Sequence, residues 1–179
     1  MDLFTELNIL DHSKEKRKAF CQLLNNKCIS VQEILYFAKQ VDNPLSNKAF
    51  WGLEFICRDS LINLLPHIDE FISILPKVHF NAGVRPAAKI CEHLIVEHYK
   101  HEKHVELSLK IREAIVTVCF DWLITDQKVA PKAYSMTCLY YLGQEFKWIY
   151  PDLKVLLQQD YIAQTAAYRA RARHILSKI

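Results

Sequence analysis

The chain has 179 residues, 51% hydrophobic and 24% charged, which is enough for one domain with a real core. Its three glycines, Gly52, Gly83 and Gly143, are too few for an all-β fold with many tight turns and too scattered for a glycine-rich phosphate loop. Net charge is +3, unevenly spread: residues 1–80 hold nine Lys/Arg against ten Asp/Glu, and residues 81–179 hold fourteen against ten. That balance excludes the strong basicity of a committed nucleic-acid binder.

The opening MDLFTELNILDHSKEKRK has its acids early and its basic cluster late, so it does not read as a signal peptide. The longest apolar run, near Ala114–Phe120, stops at Asp121, far short of a membrane span. A cytoplasmic protein is expected. The first predicted helix covers 14–25, followed by 30–41 and 44–59. Asn43-Pro44 reads as an N-cap followed by proline in the first helical position. Pro66, Pro131 and Pro151 suit helix starts in the same way, giving helices 66–75, 130–146 and 151–160.

The helix predicted over 83–99 has one apolar stripe: Val84, Ala87, Ala88, Cys91, Leu94 and Ile95 fall within about 120° of arc. The helix predicted over 105–125 differs. Leu107, Ile111, Ala114, Ile115, Val118 and Trp122 form one apolar face, and Leu109, Val116, Phe120 and Leu123 another. Only Glu106, Lys110, Glu113, Thr117 and Asp121 remain as a polar strip. Such a helix is expected between two neighbours. The last helix, over 164–178, is basic. It sets Tyr168, Ala172, Ile175, Leu176 and Ile179 on its apolar side, flanked by Arg169 and Arg173 and by Arg171 and Lys178.

Several residues invite a chemical reading. The six cysteines, at 21, 28, 57, 91, 119 and 138, include no Cys-x-x-Cys pair and read as buried, reduced thiols. The segment CEHLIVEHYKHEKH holds four histidines. His93 and His98 are five apart, roughly 140° around the helix, whereas two zinc ligands on one face need a spacing of four. His98, His101 and His104 step by three and read as a solvated helix exit, so no metal and no cofactor are expected. The acid pairs Asp69/Glu70 and Glu92/Glu97 read as solvated surface, and Ser135 as a mid-helix residue. Among the aromatics of 140–150, Tyr141 and Phe146 read as core, Tyr140 points away from its stripe, and Trp148 falls in a turn.

Four segments repeat one pattern: NKAFWGLEFIC, GVRPAAKICEHL, APKAYSMTCLYYL and AAYRARARHIL. Each has a basic residue near its start (Lys48, Arg85, Lys132, Arg169) and follows another helix. The chain thereby resembles the HEAT-like, armadillo-type repeat family over about residues 30–178. The resemblance implies an all-α, right-handed superhelical stack of helix pairs. It implies one domain over 1–179, with pairs at about 30–59, 66–99, 105–146 and 150–178 behind an N-terminal helix. It also implies aspartates six residues before the basic row, matched here by Asp42 and Asp126 and replaced by His79 and Ala163 in the other two repeats. The chain is similar, too, to small bacterial HEAT-like proteins that carry an adenylosuccinate lyase label. The serine-bearing Ser-Ser-x-Met-Pro-x-Lys-x-Asn loop of that lyase family has no counterpart here.

The function expected from this resemblance is a non-catalytic scaffold that binds a protein partner on its concave face. Four residues past each basic position stand Gly52, Lys89, Met136 and Arg173, and four further Ile56, His93, Tyr140 and Ser177. Lys89, His93, Met136, Tyr140 and Arg173 are the expected binding residues. Lys48, Arg85, Lys132 and Arg169 form a structural row with Asp42 and Asp126. The alternative is a nucleic-acid-binding protein, similar to the short HEAT-like alkylpurine DNA glycosylases. Their aromatic–aspartate constellation is not matched residue by residue.

Overall fold

Side-chain caps set many of the helix starts. Asp2 accepts from the amides of Phe4 and Thr5, and Ser13, Ser108 and Thr165 each accept from an amide of the first turn. Ser30 and Glu33 form a reciprocal capping box. In the computed structural model, which describes residues 2–11, 13–100, 105–159 and 161–179, these caps open an all-α chain. Its helices are α1 (Leu3–Ile9), α2 (Lys14–Asn25), α3 (Val31–Ala38), α4 (Leu45–Asp59), α5 (Ile68–Ile74), α6 (Asn81–Lys100), α7 (Leu109–Ile124), α8 (Val129–Leu142), α9 (Ile149–Gln158) and α10 (Ala166–Leu176). No strand occurs among the described residues. None of the described helices is long and apolar enough to cross a membrane.

Helix α1 lies ahead of the first helix expected from periodicity. Its seven residues are too few for a hydrophobic period, yet Leu3 and Leu7 are buried, as is Leu10 just beyond it. Pro44, expected as the first helical residue, is instead the N-cap of α4, and Asn43 just before it accepts from the Leu45 amide at 2.9 Å. Helix α2 ends in a Schellman motif: Cys28 N–H donates to the Leu23 carbonyl at 2.8 Å and Lys27 N–H to that of Leu24 at 2.9 Å. Lys27 takes the left-handed position there, with φ of 56°.

The chain divides into two compact units, Met1–Ile90 and Cys91–Ile179, the division falling within α6. In the first unit α4 packs against α1, α2 and α3. Phe50 of α4 meets Phe71 of α5 at 6.5 Å between ring centroids. A Cβ at Gly52 would lie 2.6 Å from the Phe20 ring, so the missing side chain is what admits α2. This corrects the expected open row: Gly52 and Ile56 are covered, because α2 occupies that side of α4.

Pro86 stands inside α6 and has no N–H to give the Ala82 carbonyl four residues earlier. The indole of Trp51, on α4, supplies the missing donor, with Nε1 donating to Ala82 O at 3.0 Å. Arg85 beside it pairs with the buried Glu54 of α4 at 2.8 Å. The indole thus repairs a break that the proline makes.

In the second unit α8 packs against α7, α9 and α10. Helix α7 buries Ile111, Ile115, Val118 and Trp122 on one face and Val116 and Leu123 on the other, with Lys110, Glu113, Thr117 and Asp121 exposed. Leu109, on the first turn, departs from its expected face and is exposed. Helix α8 also buries more than one side: Ser135, Met136, Cys138, Leu139 and Leu142 are all buried.

The Trp51 repair can be measured by a double-mutant cycle. Trp51→Phe keeps a ring but removes the donor, and should destabilise the chain by about 1 kcal/mol. In a Pro86→Ala background the restored amide serves Ala82, and chemical denaturation should show most of that loss gone. An equal loss in both backgrounds would mean that the indole does not substitute for the missing amide.

Candidate functional site

The expected binding residues are distributed unevenly. Lys89 belongs to the first unit and is half-buried. His93 and Tyr140, in the second unit, are half-buried too, and Arg173 is exposed. Met136 is a correction: its relative exposure is 0%, so it offers nothing to a partner. Packing of α8 on three other helices leaves no open side at that position. Tyr140 is drawn into a local cluster, its ring 5.1 Å from Tyr141 and 5.3 Å from the ammonium of Lys178.

Two members of the structural row, Lys48 and Arg85, find partners other than the expected aspartates. Lys48 donates to the Leu10 carbonyl and lies 4.8 Å from the Trp51 ring centroid. Asp42 instead stands 3.8 Å from Nε2 of His79. Arg85 has Glu54, which sequence spacing does not single out. Lys132 is half-buried, Asp126 is exposed, and the Arg169 carbonyl accepts from the Tyr161 hydroxyl at 3.2 Å.

His101 and His104 lie outside the described residues. His98 is tied into a network with Arg112, a residue outside the polar strip of α7. One Arg112 guanidinium nitrogen lies 3.4 Å from His98 Nε2. Nδ1 of the same ring lies 3.2 Å from the Val105 carbonyl and 3.3 Å from the Leu107 amide, which donates to it. Arg112 also donates to the Leu107 carbonyl and, at 2.9 Å, to Glu145 Oε1. Glu145 Oε2 accepts from the Tyr99 hydroxyl at 2.8 Å. Each carboxylate oxygen is therefore engaged. Burial, then the hydrogen bond to Glu145, pushes the Tyr99 phenol up. The network is built as a clamp on the segment before α7. A charged residue at 112, breaking the apolar and polar faces of that helix, is the sequence signal for it.

Four of the six thiols expected to be buried pack in the interior, and Cys21 and Cys28 depart from that expectation. Cys57, Cys91, Cys119 and Cys138 are buried, Cys21 is half-buried and Cys28, in the α2–α3 turn, is exposed. All six are free. Burial pushes the Cys57 thiol up to about 12. Burial and the Cys119 hydrogen bond raise Cys138 as well. Glu92 corrects the expectation of a solvated acid: it is buried, and its charge reaches Cys138 on α8. Ser135 is buried mid-helix, its hydroxyl without a hydrogen-bond partner. Among the described residues no group of three or more His, Cys, Asp or Glu is placed to hold a metal ion.

The surface with the largest exposed apolar side chains lies on α7 and α9. Trp148, just before α9, is 55% exposed and stacks on Phe120 at 5.8 Å and 19°. With Asp152, Val155 and Leu156 they line a depression of about 360 Å³. Positions 148, 152, 155 and 156 share one helix face, and Ile124, four residues beyond Phe120, is exposed beside it. Val155 is 64% exposed. A larger groove of about 660 Å³ runs between α8 and α10, but its walls include Ala130, Ala133, Ala167 and Ala170. A methyl group offers far less apolar area than an indole, so the Trp148 surface has more to gain from being covered.

The clamp carries a pH signature. Burial alone would raise the Glu145 pKa, but the Tyr99 hydroxyl and Arg112 guanidinium outweigh it, and the carboxyl ends below its ordinary value. A depressed acid stabilises the fold above its unfolded pKa of about 4.3, and that gain is lost as pH falls through the folded value. Glu145 is 40% exposed at its side chain, so the expected contribution is about 1 kcal/mol or less. Urea unfolding should therefore show Glu145→Gln less stable than the parent at pH 7, with the gap closing below about pH 4. A gap independent of pH would contradict a charged clamp.

Comparisons with family models, with curated proteins and with solved structures found no match to this chain.

Proposed function

We propose that the chain is a non-catalytic scaffold of HEAT-like helix pairs that binds a protein partner. The observation that carries this reading is the aromatic–aliphatic surface of exposed Trp148 and Val155 with half-buried Phe120. Tryptophan dominates interface energetics because one rigid side chain buries a large area at a small entropic cost. Here Phe120 already orders the indole, which lowers the cost of fixing it on binding. The matching partner surface presents apolar side chains to Val155 and Leu156 and a basic group to Asp152 at the margin.

The chemistry of the other groups supports a binding role. Burial holds the Cys57 and Cys138 thiols protonated, which makes them poor nucleophiles. Glu145 and Tyr99 spend their polar atoms on each other and on Arg112. A nucleic-acid reading has less behind it, since a net charge of +3 over 179 residues gives a phosphate backbone little attraction.

The test is photo-crosslinking of the full chain with a benzophenone side chain at Val155, combined with affinity measurement on the protein it captures. Trp148→Ser should weaken that partner by about 30-fold or more, equivalent to about 2 kcal/mol, while thermal unfolding stays close to that of the parent. Partner affinity unchanged by Trp148→Ser together with Val155→Glu would remove this surface from the reading. Failure of the parent chain to capture any protein would remove the scaffold itself.

A further inference from the structure

The first unit gathers positive charge in one place. Helix α2 sets Lys14, Arg17 and Lys18 along one face, and α4 brings Arg58 to the same groove, of about 500 Å³. These are four of the nine Lys/Arg in residues 1–80, a segment whose net charge is −1. Cys21 and Phe55 lie between them, and Asp59 is the acid in the lining. Three other cations in this unit find carboxylates: Lys16 takes Asp11 at 3.0 Å, Lys39 takes Glu70 at 3.8 Å and Arg85 takes Glu54. Lys14, Lys18 and Arg58 form no ion pair with a described carboxylate.

Crowded like charges raise the energy of the empty groove, and an anion lowers it. Two features make the arrangement more than a solvated charge run. Arg17 is half-buried, with its guanidinium 5.3 Å from the Phe55 ring centroid, so its planar donor fork is held in place. Lys14 is the first residue of a twelve-residue helix, whose positive end adds to the same field.

We propose that the α2–α4 groove binds a phosphate monoester. Such a group carries about −1.5 to −2 charges at neutral pH and offers three acceptor oxygens, a compact match to four cations less one acid. Arginine forks bind phosphate oxygens in pairs, while lysines act as point charges. A duplex backbone is the poorer match, because it needs cations spread along a surface. Beyond the groove, residues 1–80 hold five Lys/Arg against nine Asp/Glu. Base stacking is closed off as well: Phe55 is 6% exposed and already carries Arg17. Recognition therefore rests on the phosphoryl group itself, borne by a phosphorylated protein side chain or by a free small ester.

The test is calorimetry on the full chain at low salt with three probes: a phosphoserine peptide beside its unphosphorylated twin, free phosphoserine, and a short DNA duplex. The phosphorylated probes should bind and the unphosphorylated peptide should not. Arg58→Gln and Lys14→Gln, both at exposed positions, should each weaken binding about tenfold with thermal unfolding unchanged. Binding should also weaken as pH falls below the phosphate's second pKa of about 6. A phosphopeptide that binds tighter than free phosphoserine supports a protein source, and equal affinities support a small ester. No binding of either ester at millimolar concentration would overturn the proposal. So would affinity indifferent to both variants, or a duplex that binds more tightly than the esters and is lost in the same variants.

Discussion

Helix α7 has apolar side chains on two faces and only a narrow solvated strip. That constraint organises the second unit. Burying one large apolar side chain is worth about 1.5–3 kcal/mol, so a helix of this kind left with one bare face would lose much of a domain's stability of about 5–15 kcal/mol. Cover on each side is therefore a condition for α7 to persist. Helix α8 packs against it and is itself covered by α9 and α10, which is why Met136 and Ser135 vanish into the interior. With the core closed in this way, Trp148, Val155 and Ile124 stand out as apolar groups left in solvent.

In the first unit the comparable role falls to α4. It receives α1, α2 and α3, and its indole at Trp51 completes α6 where Pro86 breaks the hydrogen-bond ladder. The ion pairs there are smaller effects. Lys39–Glu70 is exposed and spans 3.8 Å, a geometry worth about 1 kcal/mol at most. Arg85–Glu54 differs because Glu54 is buried, so removing Arg85 would strand a charge away from water. Pairing within the unit has matched carboxylates to several cations and left Lys14, Lys18 and Arg58 together in one groove.

Much of the helical architecture is legible in the residues, because it rests on local rules. Ser30 with Glu33, Asn43 before Pro44 and the polar strip of α7 all act within a turn or two of chain. The site was less legible for reasons that are spatial. A helical wheel places Met136 away from its stripe, but it cannot count how many helices surround α8. The spacing from Asp42 to Lys48 suggests a pair, whereas the ammonium of Lys48 reaches the Leu10 carbonyl, 38 residues back in the chain. Glu92 lies on the polar side by periodicity and is nonetheless buried near Cys138. Trp148 falls in a turn, where periodicity says nothing, and its stacking on Phe120 joins elements separated by the whole of α8.

The central claim is that each helix of the second unit depends on the cover its neighbours provide, α10 included. Tyr168, Ala172 and Ile175 of α10 are buried, and the helix packs on both α8 and α9. The most direct measurement is thermal unfolding of a chain ended at Gln164, followed by circular dichroism beside the full chain. Loss of that cover should lower the midpoint by many degrees or bring aggregation, since several kcal/mol of apolar burial go with it. An unchanged midpoint and a soluble, fully helical product would contradict the claim and make α10 an appendage.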